Sequence, residues 1–146
     1  MTNMRIEIVT NEKQLQDAFQ IRKSVFVEEQ NVPIEEEIDA FDEIEKATHF
    51  VVYNDKNSPV GTGRFRKLMD YGKIERICIL PEYRNSGVGK QLMEYIIQFA
   101  KQVGVVKVKL NAQTHALPFY EKLGFTVNSN EFLDAGIPHK AMAKEI

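Results

Sequence analysis

At 146 residues, 43% hydrophobic and 27% charged, the chain fits a single globular domain over residues 1–146 with room for its own core. No run approaches the roughly eighteen uninterrupted apolar residues of a membrane span, and the start MTNMRIEIVTNEKQ has no basic region followed by an apolar one, so a cytoplasmic protein without a membrane partner is expected. One cysteine, Cys78, excludes an internal disulfide, and three histidines without HxxxH or CxxC spacing give no metal site. Net charge −2, a pI near 6.0 and the lack of a basic helix or aromatic-studded basic strand argue against a nucleic-acid partner.

Met4 to Val9 alternates as a first strand, and Thr10 or Asn11 can cap a helix carrying Leu15, Ala18, Phe19, Arg22 and Phe26. From Glu28 to Glu45 there are nine acidic residues and no Lys or Arg; removing those nine from a chain of net −2 leaves +7. Such a chain can hold an anion at one place and a cation at another, or simply present a solvated acidic loop or helix face. HFVVYN and VGTGRFRKL flank the turn NDKNSP, which predicts a hairpin from Thr48 to Leu68.

IERICIL reads as the next strand, with Glu75, Ile77 and Ile79 on one face and Ile74, Arg76 and Cys78 on the other. Val88, Leu92, Ile96, Phe99 and Val103 form the stripe of a helix ended by Gly104. VVKVKLN alternates as another strand, so strand, helix and strand predict a parallel βαβ unit in an otherwise antiparallel sheet. Ala116 to Leu123 predicts a short helix stopped by Gly124, followed by a strand FTVNS and a last strand around Lys140 to Ile146. The fold class is α+β: a mixed, mostly antiparallel sheet of about seven strands with about four helices.

Between the fourth strand and its helix lies RNSGVG, Arg84 to Gly89. Helix N-termini offer unpaired N–H groups and partial positive charge, and glycine lets an anion approach them. A P-loop fails here, because its first glycine would fall on Arg84 and its Mg²⁺ ligand on Gln91; a dinucleotide fingerprint fails at Leu92 and, for GTGRFR, at Arg66. The hexad resembles the RxxGxG/A pyrophosphate loop of the GCN5-related N-acetyltransferase (GNAT) family. It is preceded by ILP as is usual there, and FYEKLGF at Phe119 to Phe125 looks like the family's second motif. The opening IRKSVFVEEQ and the tail EFLDAGIPHKAM are similar to a subgroup of small, uncharacterised bacterial members.

The resemblance implies a splay between the fourth and fifth strands and acetyl-coenzyme A as acyl donor. Its pyrophosphate would lie on the N–H groups of Arg84, Asn85, Ser86, Gly87, Val88, Gly89 and Lys90, with Arg84 and Lys90 as charge partners. The backbone of Ile77, Cys78 and Ile79 would pair with the pantetheine amides as an added strand does, with a backbone N–H near Ile79 as oxyanion donor. Asn111 would bond the cofactor arm or a water. Tyr120 would serve the thiolate, against the alternative of an aromatic packed on the sheet. Glu75 is the first candidate base, unless it pairs with Arg64, Arg66 or Arg76, and His139 is the second. Cys78 as an acetylated nucleophile is disfavoured, since no motif sets a histidine or acid beside it.

The implied reaction is direct attack of a primary amine, from a small molecule or peptide, within a ternary complex. The acidic segment favours a cationic amine, while Arg22, Arg64 or Arg66, with Phe26, would hold an acceptor bearing a carboxylate. The alternative is a catalytically silent acyl-coenzyme A-binding regulatory module. Homodimerisation through a sheet edge or the C-terminal strands is common in the family.

Overall fold

The computed structural model describes residues 4–146. Strands β1 (Arg5–Ile8), β2 (Thr48–Tyr53), β3 (Pro59–Leu68) and β4 (Tyr71–Ile79) pair antiparallel in sequence order. Then β5 (Lys107–Gln113) joins β4 in parallel and is followed antiparallel by β8 (Ile137–Glu145), on which β6 (Thr126–Val127) and β7 (Phe132–Asp134) pair. Among the described residues the sheet has eight strands, one more than the seven or so expected, because Phe132–Asp134 forms β7 in a hairpin with the predicted last strand, β8, which starts earlier at Ile137.

Helix α1 (Glu12–Arg22) starts where the Asn11 side chain accepts from the Gln14 N–H at 2.9 Å, satisfying one of the N–H groups a helix start leaves unpaired. It runs on into a π-helical stretch, Lys23–Glu29, and a single-turn α2, Ile34–Glu37. These cover one face of the sheet, packing Ile21 and Val25 on Cys78. The other face carries α3 (Val88–Gln102), whose Leu92, Met93 and Ile96 are completely buried, each contributing about 1.5–3 kcal/mol of apolar burial. The short α4 (Leu117–Lys122) adds Tyr120 to the same core.

Two features decide the shape of the site. Pairing of β4 with β5 stops after Lys73↔Lys109, so the two strands part beyond that point. Between Thr62↔Cys78 and Arg64↔Glu75 the β3–β4 register shifts by one residue, and Arg76 sits at φ 58 in the left-handed region. This is a β-bulge with an extra residue in β4. It corrects the simple alternation expected for IERICIL: Ile77 and Ile79 pack with Ile74 in the α3-facing core, whereas Glu75, Arg76 and Cys78 meet partners from the opposite side.

Candidate active site

The opening between β4 and β5 is a cleft of about 1200 Å³. Its lower wall begins where α3 does. No side chain caps that helix: the residue before Val88 is Gly87 at φ 87, in a left-handed turn with Asn85 at φ 61. A β-carbon on Gly89 would stand 3.3 Å from the Phe119 ring, so glycine leaves the helix entrance open above that aromatic. Asn85, Gly87, Gly89 and Lys90 line the cleft, while Val88 is buried in the core and the Ser86 hydroxyl donates to the Tyr83 carbonyl at 2.5 Å. The uncapped first turn, with its aligned N–H groups and dipole, suits a phosphate-bearing ligand.

Along the other wall, Ile77, Cys78 and Ile79 border the opening. The Leu80 N–H donates to Val60 on β3, so strand alternation turns the N–H and C=O of Ile79 toward the parted side. The Ile79 carbonyl is taken by the Arg84 Nε at 2.9 Å, and the rest of that guanidinium grips Glu29 at 2.7 and 2.8 Å. Arg84 thus ties the loop to the π-helical stretch instead of standing free.

Tyr120 and His139 both reach the cleft. Burial, and then the nearby Cys78, raise the Tyr120 phenol well above its ordinary value, so it keeps its proton at neutral pH. His139 Nδ1 lies 2.7 Å from the Ile137 carbonyl, and its ring stacks on Phe132. A carbonyl only accepts, so Nδ1 carries a proton, and in the neutral ring Nε2 is then the acceptor nitrogen. Asn111 is exposed on β5 in the cleft wall. Cys78 is buried, and burial raises its thiol far above the ordinary range, which leaves it neutral and unreactive.

Glu75 lines the cleft but is held by Arg66 Nε at 2.7 Å and Arg64 Nη2 at 2.9 Å. Burial alone would raise its carboxyl; hydrogen bonding to Arg66 and the charges of Arg64 and Arg66 outweigh that and lower it, making a weak base. The arginines expected at the substrate are committed inside the protein. Arg22 and Arg64 are each 1% exposed and neither is on the cleft wall. Arg22 binds Glu37 and Asp42, both at 2.6 Å; Arg64 binds Asp39 at 2.7 Å and Asp42 at 2.9 Å. Arg66, also off the wall, lies 3.9 Å over the Phe41 ring. Burying a guanidinium requires counter-charges, and the acidic segment supplies them. Of that expected set Phe26 alone faces the cleft.

Two cleft features had no signal in the spacing of residue types, Phe119 under Gly89 and an amide pair at 2.8 Å from Gln30, just past the π-helical stretch, to Gln113 on β5; a third, Arg76 turned inward by the bulge, had only the parity of the flanking isoleucines. His115 stands beside Gln113 at the cleft margin, while His49 is buried among Arg22, Arg64 and Asp42, where burial lowers it. Among the described residues no group of His, Cys, Asp and Glu could hold a metal ion, and no helix is long and apolar enough to cross a membrane.

Comparison with known proteins gives a consistent picture. The profile of an acetyltransferase (GNAT) domain matches residues 10–146. The chain is 50% identical over 143 residues to the uncharacterized N-acetyltransferase YjcF of Bacillus subtilis, covering 97% of this chain and 100% of that one. In structure it is similar to an acyl-CoA N-acyltransferase from Pseudomonas aeruginosa, with TM-score 0.85, 27% identity and 99% of each chain covered. Escherichia coli ElaA superposes with TM-score 0.85 at 28% identity, covering 99% of this chain and 100% of that one.

Proposed function

The chain belongs to the GNAT acetyltransferase family, and on that premise we propose that it transfers an acetyl group from acetyl-coenzyme A to a primary amine of a small molecule or peptide. One observation carries the reading: the uncapped start of α3 opens onto the same cleft as the unpaired edge of β4. The α3 N–H groups suit the pyrophosphate, and the parted edge of β4 from Ile77 to Ile79 suits the pantetheine arm as an added strand.

The amine nitrogen attacks the thioester carbonyl directly. The Ile79 N–H receives the developing oxyanion, which is favoured because a backbone donor is already oriented. The carbon–sulfur bond then breaks, and the phenol of Tyr120, which burial keeps protonated, donates a hydrogen bond to the leaving thiolate, which the proton shed by the amine finally neutralises. The amine must shed a proton to attack. Nε2 of His139, left as the acceptor nitrogen when Nδ1 donates to Ile137, takes it, and Glu75, held by two arginines, orients water or the acceptor from its fixed position. The neutral, buried thiol of Cys78 favours direct attack over an acetyl-cysteine.

The test is thiol release from acetyl-coenzyme A with a panel of amines, using wild type, Tyr120→Phe, His139→Gln and Glu75→Gln. Amine-dependent release is expected, falling roughly a hundredfold in kcat for Tyr120→Phe while coenzyme A affinity persists. Tight coenzyme A binding without release for any amine would replace the transferase by a silent acyl-coenzyme A-binding module. No binding would refute the assignment of the RNSGVG loop.

A further inference from the structure

The acceptor mouth carries one guanidinium that the internal ion pairs leave incompletely used. Arg76 lines the cleft with its side chain 24% exposed. Its contacts are long: 3.2 Å from Nη2 to the Glu37 carbonyl, 3.4 Å to Asp39 and 3.3 Å from Nε to Glu37. Nε is buried without a hydrogen bond, and Nη1 bonds to nothing among the described residues. Arg22 and Arg64, by contrast, reach their carboxylates at 2.6 and 2.7 Å.

The backbone is distorted to put Arg76 there. A side chain at φ 58 costs about 1–2 kcal/mol. Unbroken alternation would have pointed residue 76 with Ile74 into the α3 core; the bulge keeps it beside Glu75, one residue before the strand edge assigned to the pantetheine arm. Glu36 and Asp134, also on the cleft, take part in no ion pair among the described residues. The cleft wall therefore includes unpaired carboxylates and a guanidinium whose Nη1 has no partner among the described residues, with Phe26, Val25 and Val32 as apolar lining.

We infer that Arg76 binds the carboxylate of the acceptor, and that the acceptor is an apolar α-amino acid, with amine and carboxylate on the same carbon. This rests on the acetyltransferase reading above. The partnerless Nη1 of Arg76 gives a carboxylate a charged N–H donor fixed in the guanidinium plane, and Glu36 and Asp134 draw in the positively charged amine before it is deprotonated.

The experiment compares leucine and phenylalanine with their carboxamides, and spermidine as an amine without carboxylate, in the thiol-release assay. Wild type is expected to prefer the free carboxylate in kcat/KM. Arg76→Gln should raise KM for leucine and phenylalanine roughly 10–100-fold, the range for a lost hydrogen bond to a charged group, and bring the carboxylate-to-carboxamide ratio toward one. Arg76→Lys should fall between, and coenzyme A affinity and the melting temperature report whether each variant is folded. Lys73 also lines the cleft, so Lys73→Gln is run beside them. Loss of the preference in Lys73→Gln rather than Arg76→Gln would overturn the assignment. Turnover of spermidine and carboxamides without the amino acids would overturn the substrate class and leave the transferase standing. Coenzyme A binding without turnover of any amine would overturn both.

Discussion

Replacing Gly87 with alanine tests whether the turn before α3 is held for its ligand or only for its shape. Gly87 lies at φ 87 and Gly104, at the far end of the same helix, at φ 90; a β-carbon at either would meet no atom within 4 Å. Neither substitution creates a clash, so each costs only the left-handed backbone strain, about 1–2 kcal/mol. For a domain of this size that lowers Tm by roughly 3–8 °C in both variants. Binding should separate them. If residue 87 relaxes toward negative φ, the N–H groups of the first turn swing off the anion. Each charge-assisted hydrogen bond lost weakens coenzyme A at least tenfold. Gly104→Ala strains the same helix without touching that turn and should bind within about twofold of wild type. Differential scanning fluorimetry and titration calorimetry with coenzyme A supply the two readouts. Equal affinities for Gly87→Ala and Gly104→Ala at equal loss of Tm would show that the turn does not hold the ligand.

Cys78→Ala should retain kcat within about threefold, and mass spectrometry after incubation with acetyl-coenzyme A alone should show no added acetyl group on the wild-type chain, because the thiol is neutral and buried; a stable acetyl adduct at Cys78 would refute direct attack. Arg22→Met leaves Asp42 to Arg64 and Glu37 to the 3.3 Å contact with Arg76, so urea unfolding should show roughly 3–5 kcal/mol lost, and a loss under 1 kcal/mol would mean that the network relaxes around the gap. Burial would raise the Asp42 carboxyl, but the Arg22 hydrogen bond and charge, the Asp39 N–H and Arg64 bring it down to about 2 from 3.8. A depressed folded-state value means that the unfolded chain binds the proton more tightly, so Asp42 stabilises above about pH 4, and about 2 kcal/mol of that is lost as pH falls through about 2. Urea midpoints at pH 7, 5 and 3 should therefore fall more steeply in wild type than in Asp42→Asn, and parallel curves would contradict this.

What was legible in the sequence is what strict periodicity and turn chemistry dictate. Val88, Leu92 and Ile96 recur at helical spacing because one face of α3 is buried, and VVKVKLN alternates because β5 is. The RNSGVG loop was legible because a left-handed residue before an uncapped helix needs glycine. The bulge left a trace that simple alternation overrode: Ile74, Ile77 and Ile79 cannot all face α3 in a regular strand, since 74 and 77 have opposite parity. One inserted residue reconciles them, and that residue is Arg76. The π-helical stretch left no comparable trace, because KSVFVEE is compatible with an ordinary helix and the wider turn depends on what lies beneath it.

The arginines were misassigned for a different reason. Nine acidic residues in one segment and the basic residues of β3 look like separate ligand-binding charges when read along the chain. In three dimensions a buried charge without a partner is so costly that nearby opposite charges combine first. Asp42 lies between Arg22 and Arg64, and Asp39 also binds Arg64. Glu37, Asp39 and Asp42 of the acidic segment are therefore internal counter-charges for Arg22, Arg64 and Arg76. These carboxylates fasten α1, β3 and the cleft-facing part of β4 to one another, so a substitution at Asp42 should reach the cleft through Arg64 and Glu75 without that residue touching substrate.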